Sequence, residues 1–96
     1  MLPLHVHGGV DEECLPLPLE HKLLLLNAFL SLAKDDPCPA GCRPLTAPDG
    51  RVMPGGWSLA IEVREGRKRA ARYVIRYIYP DERGGVLIAA VRQAAW

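Results

Sequence analysis

Residues 57–64 read Trp57-Ser58-Leu59-Ala60-Ile61-Glu62-Val63-Arg64, and the fold reading turns on them. Trp57, Leu59, Ile61 and Val63 alternate with Ser58, Ala60, Glu62 and Arg64, the two-residue period of a strand that turns one face to the core. Residues 71–79 repeat the pattern, with Tyr73, Ile75, Tyr77 and Tyr79 on one face and Arg72, Val74, Arg76 and Ile78 on the other. Aromatic and β-branched side chains dominate this second segment, as a pleated half-buried surface prefers. Between the two, residues 65–70 form a basic hairpin loop carrying Arg67, Lys68 and Arg69. Pro80, Asp81, Gly84 and Gly85 mark a turn, after which residues 86–92 supply a third strand. The expected product is an antiparallel meander with one apolar face and an arginine-bearing rim.

Upstream, residues 20–34 place Leu23, Leu26, Leu30 and Ala33 on one helical stripe, with Leu25, Phe29 and Leu32 beside it. Glu20, Asn27, Ser31 and Lys34 occupy the opposite side, and Asp35, Asp36 and Pro37 stop the helix. The apolar face of the meander is the only broad surface it can cover. Leu26, Phe29 and Leu30 are therefore expected against Ile61, Val63, Ile75 and Leu87. The fold class that follows is α+β, one main helix packed on a three- to four-stranded antiparallel sheet, with residues 1–96 as a single domain. Residues 2–7 suit a short strand ending at Gly8 and Gly9, and residues 11–18 read as an acidic connector that Pro16 and Pro18 keep out of helix. Residues 37–56 hold five of the nine prolines and four of the nine glycines and read as turns. Asp49-Gly50 is the best tight turn there, joining extended pieces around Leu45 and Val52. Trp96 is expected to pack back on the sheet or to mark a contact surface.

A chain of 96 residues buries only about 60–65% of its unfolded surface, so its core must be compact. The formal net charge of +1 hides an asymmetry. Residues 1–50 carry three Lys/Arg against seven Asp/Glu, and residues 51–96 carry nine against four. Six of the twelve basic side chains fall between positions 64 and 76, which points to an anionic partner for that edge of the sheet. Three cysteines cannot all pair within one chain, which favours a reducing, cytoplasmic setting. The apolar run at residues 23–33 is too short to span a membrane.

Several chemistries lack their residues. The serines Ser31 and Ser58 have no nucleophile elbow. The paired glycines lack the Lys-Ser/Thr that a nucleotide phosphate site requires. His5, His7, Cys14, His21, Cys38 and Cys42 offer zinc ligands, but only Cys38 and Cys42 have the tight spacing a tetrahedral site uses, so no metal or other cofactor is expected. A Cys38–Cys42 disulfide would close too short a loop to stabilise much. What remains is the arginine and tyrosine set. Arginines bind phosphates and stabilise charge developing on a scissile one, and a tyrosine acts as acid or base or stacks on a base, so the surface suits RNA. The competing reading makes the tyrosines core residues and the arginines a soluble edge.

The helix closing in Leu32-Ala33-Lys34-Asp35-Asp36-Pro37, the strand at residues 57–64, Arg72-Tyr73-Val74-Ile75-Arg76-Tyr77 and the strand at residues 86–92 together resemble the RelE/ParE superfamily of bacterial toxins. The resemblance implies the toxin of a toxin–antitoxin pair, encoded by a bacterium or phage, with a protein antitoxin as partner; the family has a longer helical hairpin ahead of its sheet, where residues 2–34 here hold one good helix. Its target is RNA and the ribosome for RelE-like members, which are metal-independent endoribonucleases, or DNA gyrase for ParE-like members, which act by binding. On this resemblance Arg64, Arg76, Tyr77, Tyr79 and Arg92 are the candidate catalytic residues. Arg67, Lys68, Arg69 and Arg72 are the candidate nucleic-acid or partner contacts. The ending Gln93-Ala94-Ala95-Trp96 is closer to the ParE branch. The alternative is a non-catalytic interaction protein whose basic edge docks on nucleic acid or on an acidic protein.

Overall fold

In the computed structural model, which describes residues 1–94, the chain runs β1 (Leu4–Val6), α1 (Gly8–Cys14), α2 (Leu19–Lys34), β2 (Arg43–Thr46), β3 (Val52–Glu65), β4 (Lys68–Ile78) and β5 (Val86–Gln93). The class is α+β. The sheet has five strands in the order β1-β5-β4-β3-β2, rather than three or four, and it is mixed. Strands β2 to β5 form the antiparallel meander, and β1 lies parallel to β5 with Leu4 opposite Val86 and Val6 opposite Ile88. A parallel partner needs a long crossover. Here α1 and α2 provide it, carrying the chain from one edge of the sheet to the other across a single face.

The core lies between those helices and the sheet. Tyr73, Ile75 and Tyr77 of β4, Val63 of β3, and Val86, Ile88 and Val91 of β5 meet Val10, Leu25, Phe29 and Leu32. Ile88 and Val91 are three apart, which a regular strand would point to opposite faces. A bulge resolves this: Arg76 pairs with Ala90 while Tyr77 pairs with Ile88, so Ala89 is the extra residue and the inward phase is restored. The hairpin between β3 and β4 is tighter than the sequence suggests. Glu65 pairs with Lys68 and only Gly66 and Arg67 form the loop, with Gly66 at φ 61°, as a glycine-first two-residue turn requires.

Helix α2 packs on the sheet as expected but with a different stripe inward. Leu25, Phe29, Leu32 and Ala33 are buried, together with His21, whereas Leu26 and Leu30 are exposed, so the expected burial of Leu26 and Leu30 is corrected. Leu87 too is off the core, being the partner of Ile78 on the other face. The expectation of a connector at residues 11–18 is also corrected, because Gly8–Cys14 is helical. Leu15 still has helical backbone angles, and Pro16 and Pro18 keep the chain out of helix only beyond it. His7 caps the helix by accepting the Gly9 N–H at 3.1 Å, and Val10 anchors it at 1% exposure. Asp49-Gly50 makes the turn between β2 and β3, where the Asp49 carboxylate accepts the Arg51 N–H. Among the described residues no helix is long and apolar enough to cross a membrane. Trp96 lies outside the described residues.

Candidate functional site

Because both helices cover the same face, no helix among the described residues covers the other face of the sheet. Strand alternation and the ladder register decide what it presents. One row crosses four strands as Arg43, Ser58, Arg76 and Ala90, the next holds Ala60, Val74 and Arg92, and a third pairs Glu62 with Arg72. Four arginines thus surround a floor of small side chains. Ser58, Ala60 and Ala90 are short enough to leave it flat, and it has two shallow concavities. The smaller, about 280 Å³, lies between Gly41, Arg43, Ser58, Ala60, Arg72 and Val74. The larger, about 480 Å³, lies between Pro44, Met53, Pro54, Arg76 and Ala90.

The charges on this face are largely unopposed. Among the described residues no carboxylate lies within ion-pair distance of Arg43, Arg72 or Arg76. Glu62 is engaged by Arg64 at 3.2 Å. Arg92 at the far margin pairs with Glu13 of α1 at 3.1 Å. The other oxygen of Glu13 accepts the Val91 N–H, so one carboxylate caps the part of the β5 edge that β1 does not cover. Beyond the face, the β3–β4 hairpin carries Arg64, Arg67, Lys68 and Arg69, all exposed. Guanidinium groups present planar forks of donors suited to phosphate oxygens, and several on one flat face can follow a nucleic-acid backbone.

The tyrosines belong to the opposite side. Tyr73 and Tyr77 are 2% and 0% exposed and point into the core. The Tyr73 hydroxyl shares a 2.8 Å hydrogen bond with Nδ1 of His21, whose ring meets the tyrosine edge-on. The Tyr77 hydroxyl donates to the Pro37 carbonyl at 2.8 Å and so pins the loop after α2. Burial pushes both hydroxyls above the ordinary tyrosine value, with Cys14 adding to the effect at Tyr73 and the Cys42 thiol at Tyr77. Tyr79 is half-buried against the core, and its carbonyl accepts the Trp57 indole N–H at 3.1 Å.

The five residues paired by the resemblance as catalytic therefore do not converge. Arg76 and Arg92 share the open face, Arg64 is at the hairpin, and Tyr77 and Tyr79 lie across the sheet from them. Arg72 joins the open face, while Arg67, Lys68 and Arg69 stay at the hairpin tip. Arg43 was not anticipated. Its only signal was a place in the short extended piece around Leu45, whose register with Ser58 the tertiary pairing supplies.

The remaining candidate ligands are dispersed. His5 approaches Arg83 at 3.3 Å near the β4–β5 turn, His7 caps α1, and His21 is buried on Tyr73. Cys14, Cys38 and Cys42 are free and half-buried. Burial, then the adjacent Cys42, holds the Cys38 thiol above its ordinary range. Among the described residues no three His, Cys, Asp or Glu side chains gather where a metal ion would need them. Comparisons with family models, with curated proteins and with solved structures give no match, so the functional reading rests on this geometry.

Proposed function

We propose that the chain binds a polyanion, single-stranded RNA first among them, across the open face of its sheet, and that it does so without cleaving it. The observation that carries this reading is the arginine set Arg43, Arg72, Arg76 and Arg92 around a flat floor of small residues on the one face no helix covers. The basic hairpin extends the contact by Arg67, Lys68 and Arg69. Binding without chemistry is supported by the position of the Tyr73 and Tyr77 hydroxyls, which are hydrogen-bonded on the helix side of the sheet, away from a ligand on the arginine side. A general acid or base must reach the atom it serves.

The setting proposed for this activity is the bacterial cytosol, as the toxin of a toxin–antitoxin pair of RelE/ParE type that disables RNA, the translation machinery or DNA gyrase by occupying it. In support, the arginines of the last two motifs of the resemblance, Arg76 and Arg92, fall on the same face. The test is fluorescence anisotropy with a single-stranded oligoribonucleotide over a salt series. Three or four phosphate contacts give a log–log slope of about −2 to −3. Replacing Arg72 and Arg76 by Ala should lower the slope by about 1.4 units, at roughly 0.7 per contact, and relieve growth arrest on expression. Binding that ignores salt, or variants that bind like the wild type, would refute the reading. Salt-dependent binding of an acidic protein but not of RNA would favour the interaction-module alternative.

A further inference from the structure

Helix α2 leaves a second apolar stripe that the fold does not use. Leu19, Leu23, Leu26 and Leu30 are 69%, 51%, 48% and 38% exposed, and Leu15, just before the helix, is also open. Their spacing is four, three, four, which is the 3.5-residue repeat of a helix–helix seam rather than a scatter of surface leucines. The core is complete without them, since Leu25, Phe29, Leu32 and Ala33 form the inward face of the same helix. The five leucines expose on the order of 500 Å² between them, the size at which apolar patches mark contact sites.

From these features we infer that the leucine seam of α2 is a dimerisation surface, occupied by α2 of a second copy of this chain in antiparallel orientation. The spacing itself fits this occupant. Read in either direction it is four, three, four, so an antiparallel copy sets Leu19 against Leu30 and Leu23 against Leu26 about a twofold axis. An isologous interface has to be complementary to itself in this way. The seam itself carries no charged residue that would choose a basic or acidic partner, and its flanks hold Lys22 on one side and Glu20 and Asn27 on the other. In the pair each flank faces its own counterpart, which sets Glu20 opposite Asn27 of the second copy. With those flanks the footprint approaches the roughly 800 Å² per partner of a standard interface. Because α2 lies on the covered side of the sheet, such a dimer leaves the arginine face of each copy uncovered by α2. The inference is independent of what those faces bind.

Sedimentation equilibrium of the full chain, from low micromolar to roughly 0.5 mM, tests it. The wild type is expected at twice 10.6 kDa at the upper concentrations. Leu23→Glu and Leu26→Glu each place two like charges into the seam and should raise the dissociation constant at least about tenfold. Their far-UV circular dichroism should stay that of the wild type, since both positions are open in the monomer. Leu24→Glu is the control: Leu24 is also an exposed leucine of α2 but lies off the seam, and this variant should dimerise normally. In a C14S/C38S/C42S background, chains with Leu19→Cys should crosslink to chains with Leu30→Cys and not to their own kind. A wild type that stays monomeric throughout would overturn the inference, whether or not its leucines then bind phosphatidylcholine vesicles. So would a dimer untouched by Leu26→Glu or equally broken by Leu24→Glu. Self-crosslinking of either cysteine variant would overturn the antiparallel arrangement.

Discussion

Leu25 and Leu26 are neighbours on one helix, identical in side chain and in intrinsic propensity, yet Leu25 is 1% exposed and Leu26 48%. Replacing each in turn by Ala therefore isolates the direction in which the residue points. At Leu25 the change removes a fully enclosed side chain beside Phe29 and Tyr73 and opens a cavity, which costs about 2–5 kcal/mol. At Leu26 roughly half of the surface is already in water, no enclosed cavity forms, and the loss should stay near or below about 1 kcal/mol. A domain of this size has a total stability of about 5–15 kcal/mol, so the first variant loses a large share of it and the second little. Urea unfolding at low micromolar protein, where any dimer is dissociated, reads the difference as a lower midpoint at unchanged slope. Heating should show Leu25→Ala melting at least about 4–8 °C below Leu26→Ala, at roughly 4–8 °C per kcal/mol. Equal losses at the two positions, or a larger one at Leu26, would refute the assigned orientation of α2 and the leucine seam with it.

Tyr77→Phe removes the donor to the Pro37 carbonyl and should cost about 1 kcal/mol at neutral pH. Since the folded hydroxyl titrates above its unfolded value of about 10, its contribution is complete below pH 10 and declines as pH rises through that value toward the folded one. The Tyr77→Phe variant should therefore lose stability less steeply than the wild type above about pH 10, as thermal melts across a pH series would show; parallel curves would contradict the buried hydroxyl. Glu13→Ala frees the Val91 amide, so hydrogen exchange at Val91 should accelerate while exchange at Ile75 is unchanged. Protection retained at Val91 would count against the carboxylate cap. At Gly85 a methyl group would be driven onto the Pro3 backbone, whose carbonyl accepts the Val86 N–H. Gly85→Ala should then cost about 1–3 kcal/mol and loosen β1 first, measured by unfolding and by exchange at Val86; a neutral substitution would refute the close approach.

The meander was legible because its information is local. Alternation along residues 57–64 and 71–79 identifies inward residues with no knowledge of the partner strand, and it placed Tyr73, Ile75 and Tyr77 on the apolar face where they are buried. Strand β1 and the Asp49-Gly50 turn could be read for the same reason. The short helix α1 could not. It opens on two glycines and contributes one buried residue, Val10, so its helical state comes from docking against β5 and from the Glu13 and His7 contacts rather than from propensity.

The orientation of α2 shows where sequence alone stops. Its leucines are so numerous that two stripes qualify as the apolar face, and periodicity has no means of ranking them. The stripe that turns inward is the one on which His21 meets the Tyr73 hydroxyl, with Leu25, Phe29 and Leu32 on the same side. The site divides in the same way. Sequence determined that the arginines of β4 and the tyrosines of β4 lie on opposite faces, and that charge gathers near the β3–β4 hairpin. Only the tertiary structure decided which stripe of α2 turns inward, and the register that brings Arg43 and Arg92 beside Arg76. Strand pairing and helix docking join residues far apart in the chain, through contacts whose energies no single segment contains.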